Sequence, residues 1–409
     1  MLKLTMDIAK MGEAKQMGEQ TAAYIIKNIT IFLEDEIIHN GIIVMENGII
    51  HRIYHANEKI DKYPSQFKIV DGQGLNAVPG FIDGHIHGAN GADVMDATEE
   101  ALDAIAQVLP KEGTTSFLAT TITQSEENIE SALRNVATYQ SKPGFAEIIG
   151  VHLEGPFIEA SKKGAQPLEH IQKPNVELFD RWQAISNHNI KTITMAPEHD
   201  DGEFIRHLAN SGVNVSAGHT SIGFEEMKKA VANGVRQVTH LCNAMPGIHH
   251  RDIGVVGAAF FLEELRAELI ADGIHVSPHM LRLIYQNMGS ERLILITDAM
   301  RAKCLQAGTY DLGGQMVQVD GERAVLEDGT LAGSILKLNE GVQQMLDLPE
   351  VQFKDVIKMA SINPAKQISV FDRKGSIAEG KDADILLVDD SFSIKYTFCR
   401  GQLAYKGEE

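Results

Sequence analysis

The chain has 409 residues, 44% hydrophobic and 23% charged, long enough to bury one large core and a smaller satellite. Its 56 acidic residues against 37 basic give a formal charge of −19. That field repels nucleic acid and anionic membrane and argues against both as partners, although a local basic cluster can still hold a small anion.

No apolar run is long enough to span a bilayer. Three cysteines, Cys242, Cys304 and Cys399, make no disulfide framework and suit a reducing cytoplasm. Residues 1–20 lack a sustained apolar core and a small-residue cleavage pattern, so they are an extension of unknown role rather than a signal peptide.

From Tyr24 to Val78 short β-like runs alternate with turns, and Asn47-Gly48 between two apolar runs marks a hairpin. From Phe81 onward, short apolar strands alternate with helix-length segments such as EEALDAIAQVLPKEG and SEENIESALRNVATYQ. Eight strands are expected at 81–86, 114–119, 147–153, 190–196, 213–217, 235–240, 267–272 and 293–298. This rhythm predicts a (β/α)8 TIM barrel. A hairpin-like insertion (309–333), two helical stretches and a β-rich tail follow. The expected layout is a catalytic barrel over 80–368, with 21–79 and 369–409 pairing into a small β-sandwich domain.

Six side chains of metal-binding type stand at the downstream ends of these runs: His85, His87, Glu154, His219, His240 and Asp298. In a parallel barrel those ends meet on one face, where catalytic groups collect. His85 and His87 share a side of their strand, because side chains alternate, and can clamp one ion. His219 and His240 end adjacent strands and can hold a second. Glu154 lies between the two pairs in strand order and can bridge both ions. Two ions some ~3.5–4 Å apart can activate a shared water. Asp298 closes the ring and is placed to shuttle a proton. Any one of these residues alone reads more simply as a hydrogen-bonded strand end, a turn carboxylate or a helix cap. Six on one face do not. His152 shares a face with Glu154 and reads equally as a support for the ligands or as barrel interior. Cys242 reads as a buried small hydrophobe, and Lys162-Lys163 as a solvated loop pair.

The strings PGFIDGHIHG, HLEGPF, GHT, THLCNAM, ADGIHV and TDAM, in this order, resemble the N-acetylglucosamine-6-phosphate deacetylase family of the amidohydrolase superfamily. The likeness runs from about Tyr24 to the C-terminus. It implies a metal-dependent hydrolysis of the sugar acetamide, in amino-sugar catabolism and cell-wall recycling. It implies that Glu154, His219 and His240 hold the main ion and that His85 and His87 hold a second. Asp298 would be the general base and acid, with His152 or His275 helping to stabilise the oxyanion. Substrate contacts would come from Ala165, Gln166, Asn243, Ala244, His275, Leu331, Ala332 and Gly333. Arg251 would anchor the phosphate by reaching into the active site of the neighbouring subunit of a homodimer. Without that motif, Arg251 reads as half of a surface ion pair. His and carboxylate ligands leave zinc and iron both open. An amidohydrolase acting on cyclic amides or N-acyl amino acids is the enzymatic alternative, and a metal-free scaffold the non-enzymatic one. The scaffold reading requires missing ligands, and all six are present.

Overall fold

The computed structural model describes residues 22–56, 58–59 and 62–408, so the N-terminal extension lies outside the described residues. All eight expected strands form, as Phe81–Ile86, Thr114–Thr121, Glu147–Glu154, Ile190–Met195, Asn214–Ala217, Val235–Val238, Arg266–Ile270 and Leu293–Ile296. Each pairs in parallel with its sequence neighbour. The first and eighth strands meet through the Ile86–Ala299 bridge and the Asp298 N–H, which donates to the His85 carbonyl at 2.8 Å. Asp83 secures the same seam, accepting from Thr297 N at 3.2 Å and Thr297 Oγ1 at 2.6 Å. Every residue of Thr114–Thr121 is buried, as expected for a strand covered on both faces.

The helices between strands begin where the sequence supplies caps. Thr98, Ser125, Asn175 and Ser277 each accept a hydrogen bond from the amide three residues on, opening Glu99–Val108, Glu126–Thr138, Val176–Ile185 and Pro278–Met288. Their apolar faces join one core around the barrel, with Leu102, Ile105, Leu133, Phe179, Trp182 and Leu281 fully buried.

The two chain ends pair as expected but form one continuous hydrogen-bonded sheet rather than two. Its order is Gln402–Lys406, Ile394–Cys399, Ile385–Val388, Asn76–Pro79, Tyr24–Phe32, Ile37–Glu46, Ile49–Tyr54, with Lys68–Asp71 parallel to the start of Tyr24–Phe32. Lys68–Asp71 pairs with Tyr24 to Lys27 and Asn76–Pro79 with Thr30 and Ile31, so two strands share one edge of Tyr24–Phe32. Both arms of the sheet contribute to one core of Ile26, Ile31, Ile43, Ile385 and Phe398.

The insertion after the eighth barrel strand is a three-stranded sheet, Gly308–Leu312, Gln315–Val319 and Ala324–Val325, with a core of Ile122, Met300, Val317 and Ala332. It reaches the barrel mouth. Gln124 Nε2 donates to Gly313 O at 2.9 Å, and Gln315 Nε2 donates to Ala165 O. No helix among the described residues is long and apolar enough to cross a membrane.

Candidate metal centre

The six strand-end residues converge at the C-terminal mouth of the barrel, all buried. Three of them sit where the backbone turns out of its strand. His219, His240 and Asp298 have φ of 47°, 32° and 49°, a left-handed conformation uncommon for non-glycine residues. It aims each side chain inward, and such outliers gather at functional sites.

Glu154 is the hub. Its Oε1 lies 3.5 Å from His85 Nε2, 3.2 Å from His219 Nε2 and 3.3 Å from His240 Nε2, and its Oε2 lies 3.3 Å from His87 Nε2. The Nε2 atoms of His219 and His240 face one another at 3.1 Å. Asp298 Oδ1 stands 3.5 Å from His85 Nε2 and 3.3 Å from His87 Nε2. Three donor sets result among the described residues, Glu154 with His219 and His240, His85 with His87 and Asp298, and, deeper in the barrel, His85 with His152 and Glu268, each with its ligand atoms within 4.8 Å of one another.

The tautomers agree with a ligating role. His219 Nδ1 donates to the Lys162 carbonyl at 2.8 Å, leaving Nε2 with its lone pair toward Glu154. His85 Nε2 is buried without a hydrogen-bond partner among the described residues. Burial alone would lower the pKa of His85, but Asp298, Glu154 and Glu268 outweigh it and raise it to about 9. Burial likewise works against protonation of His87, but Asp298 and Glu154 outweigh it and hold its pKa well above the usual imidazole value. Burial pushes Glu154 upward, yet the surrounding imidazoles hold it well below the usual carboxylate range. This field selects positive charge at one point. A divalent cation satisfies it while keeping every imidazole neutral and able to ligate. The donor set therefore fits metal ions of borderline softness.

The cluster forms the floor of a cavity of about 480 Å³. Ala165, Gln166, Asn243, Ala244, His275, Leu331 and Gly333 line it, as does Lys162. Ala332 does not. It is fully buried in the core of the insertion, with its N–H bonded to Ala324 O at 2.9 Å. Gln166 also braces the hub, its Nε2 donating to Glu154 Oε2 at 2.6 Å while its Oε1 accepts from Thr123 N at 2.7 Å. His275 Nδ1 pairs with Asp272 Oδ2 at 2.6 Å, which orients the ring beside the cavity.

His152 is barrel interior. Its Nδ1 donates to Gly84 O at 3.0 Å and its Nε2 accepts from Thr194 Oγ1 at 2.7 Å, so neither nitrogen is left for a substrate. Burial, helped by the charge of His85, lowers its pKa to about 4. Cys242 joins no donor set among the described residues, and burial pushes its thiol up to about 11. Arg251 lies on an exposed loop outside the cavity of its own chain, with Nη1 2.8 Å from His250 Nε2.

Two buried carboxylates escape a reading of the sequence. Glu268, on the seventh strand, lies 3.0 Å from His85 Nδ1, and Asp83 stitches the barrel seam. The one signal for each is an acid between apolar residues of a short strand, RAELI and FIDGHI.

A closed parallel barrel whose strand ends gather four imidazoles and two carboxylates at the floor of a cavity defines a metal-dependent hydrolase of the barrel type. Residues 76–404 match the amidohydrolase family. The chain is 45% identical over 390 residues to an N-acetylglucosamine-6-phosphate deacetylase of Bacillus subtilis, covering 94% of this chain and 98% of that one. It is 41% identical over 384 residues to the enzyme of the same name from Lysinibacillus sphaericus, covering 93% and 97%. The crystal structure of the deacetylase of that name from Thermotoga maritima matches with a TM-score of 0.82 at 33% identity, over 94% of this chain and all of that one. The chain belongs to the amidohydrolase family, in the branch of the N-acetylglucosamine-6-phosphate deacetylases.

Proposed function

We propose that the chain hydrolyses the acetamide of N-acetyl-D-glucosamine 6-phosphate to D-glucosamine 6-phosphate and acetate. The observation that carries this reading is the meeting of Asp298 with the Glu154-centred donor cluster on the floor of a cavity lined by Asn243 and His275. The near full-length identity to deacetylases of that specificity supports the substrate.

In this reading Glu154, His219 and His240 hold the main divalent ion, His85 and His87 hold a second, and the metal is zinc or iron. Bound there, such ions polarise the amide oxygen and acidify the attacking water. Asp298 takes the proton from that water and returns it to the leaving amine nitrogen. Burial opposes ionisation of Asp298, but His85 and His87 outweigh it and hold the carboxyl below its usual range, so it is ionised and able to accept. Asn243, Ala244 and the loop of Leu331 and Gly333 grip the sugar, while Gln166 keeps Glu154 from swinging away. With His152 committed on both nitrogens, His275 is the imidazole left beside the cavity to help hold the developing oxyanion.

Arg251 binds the phosphate of the neighbouring subunit, its fork suited to two phosphate oxygens. Residues 80–368 act as the catalytic unit, with 21–79 and 369–409 forming the smaller one. Three unpaired cysteines support a cytoplasmic setting.

The test is acetate release from the phosphorylated and the unphosphorylated sugar under the same metal-replete conditions. Fast release from the phosphorylated sugar alone is expected. Equal release from both would remove the phosphate assignment, and release from neither would remove the substrate.

A further inference from the structure

Glu268 is buried in the barrel interior at 1% exposure, and its ion-pair partners among the described residues are His85 and His152. It ends a chain of side-chain hydrogen bonds that crosses the barrel. Arg266 Nη1 donates to Gln367 Oε1 at 2.7 Å, and Gln367 Nε2 donates to Asn214 Oδ1 at 2.6 Å. Asn214 Nδ2 then donates to Gln237 Oε1 at 3.0 Å, and Gln237 Nε2 to Glu268 Oε1 at 2.6 Å. Glu268 Oε2 meets His85 Nδ1 at 3.0 Å. It also receives the His240 N–H at 3.3 Å.

This chain runs in one direction. A guanidinium only donates and an ionised carboxylate only accepts, while each amide between them has one oxygen and one NH₂. Turning any amide over would set donor against donor. At the far end the carboxylate requires a proton on His85 Nδ1, which puts the lone pair of the neutral ring on Nε2. That atom has no hydrogen-bond partner among the described residues and lies 3.5 Å from Glu154 Oε1 and 3.5 Å from Asp298 Oδ1. A buried carboxylate behind a ligating histidine fixes the ring and raises its basicity. His219 has its tautomer set by a neighbouring carbonyl, while the Nδ1 atoms of His87 and His240 are buried with no hydrogen-bond partner among the described residues. Of the four imidazoles, His85 alone is held by a carboxylate from behind.

We propose that Glu268 is a positioning residue for divalent-cation binding, holding His85 in the tautomer that offers Nε2 to the ion shared with His87. The proposal rests on the reading of His85 as a metal ligand. Glu268→Gln keeps the shape but adds an NH₂ to a chain that has no place for another donor, which turns His85 Nδ1 into an acceptor and protonates Nε2.

The experiment titrates metal-free protein with Zn²⁺ by calorimetry and counts bound zinc per subunit after desalting. For Glu268→Gln we expect binding of the ion at His85 and His87 weakened about tenfold or more, and the ion at Glu154, His219 and His240 weakened by a clearly smaller factor, since the His240 N–H loses its acceptor. A general loosening of the barrel would weaken both ions by the same factor. Gln237→Met, which spares the carboxylate and removes its donor, should weaken the same ion by a smaller factor, and it decides the matter if Glu268→Gln does not fold. Wild-type affinity for both ions in a folded Glu268→Gln, or in Gln237→Met where that variant decides, overturns the proposal. His85→Ala separates the underlying reading. If it binds as much zinc as the wild type, His85 is not a ligand and the proposal falls with that reading.

Discussion

In the proposed mechanism Asp298 is the residue on which the chemistry turns, and it faces both the histidine pair and the cavity. Held ionised by His85 and His87 against its burial, it is a proton acceptor in place. Asp298→Asn keeps the shape and the backbone but cannot accept a proton. We expect kcat to fall by about 10²–10⁴-fold with KM little changed, a pattern that marks loss of a group used in the transition state. Turnover close to wild type in steady-state assays would remove the role. That the six candidate residues converge is legible in the sequence because each stands where an apolar run stops, and strand ends share one face in a barrel. Glu268 and Asp83 are not legible in that way. A lone acid inside a short strand normally marks the solvent side, and only closure of the barrel makes the inner face a dry interior. His152 illustrates the converse. Its sequence position is shared with Glu154, and only the contacts with Gly84 and Thr194 separate a packed imidazole from a ligand.

The eight barrel strands were legible as elements, but their ends were not. The sixth and eighth stop at Val238 and Ile296, two residues before His240 and Asp298, because the left-handed backbone at those residues cannot continue a ladder. Alternation likewise shows that the chain ends are β-rich, but not that Asn76–Pro79 pairs with Tyr24–Phe32 on one side and Ile385–Val388 on the other and so joins them into a single sheet. The third strand shows how a turn holds the chemistry. After Glu154 the chain leaves the strand through Gly155 at φ +72°, where a Cβ would lie 2.1 Å from Thr123 Oγ1. Thr123 N holds Gln166, and Gln166 holds Glu154. Gly155→Ala therefore strains the turn and pushes away the residue that braces the metal hub. We expect a loss of about 1–3 kcal/mol in urea unfolding together with weaker retention of zinc during dialysis. A destabilised variant that keeps its zinc like the wild type would uncouple the turn from the site.

Across the whole molecule, the barrel and the smaller sheet are clasped by Lys374, which is fully buried. Its ammonium lies 2.7 Å from Glu147 Oε2 at the start of the third barrel strand and 2.9 Å from Asp382 Oδ2, and it also bonds Asp384, next to Ile385–Val388. Burial works against ionisation of Glu147, but Lys374 and Arg373 outweigh it and hold its pKa at about 2. A carboxylate with a depressed folded-state pKa stabilises the fold above its ordinary value near 4.5, and that contribution disappears as pH falls through about 2. The contribution is on the order of 3 kcal/mol at neutral pH. The gap in urea stability between wild type and Glu147→Gln should thus be constant near neutrality and begin to close below about pH 4.5. A gap independent of pH would show that packing, not charge, makes the clasp.

The proposed dimer is tested at the same scale. Arg251 sits on an exposed loop, outside the lining of its own cavity and three residues from Ile248 at 53% exposure. If it serves the partner's site, Arg251→Ala should raise KM for the phosphorylated sugar, and co-expression with Asp298→Asn should complement it. In a mixed dimer the subunit that keeps Asp298 receives an intact Arg251 from its partner, so one of its two sites is wild type. With random pairing about a quarter of all sites regain the wild-type KM. If Arg251 acts within its own chain, every site in the mixed dimer lacks one group or the other, and no wild-type component can be resolved in the kinetics.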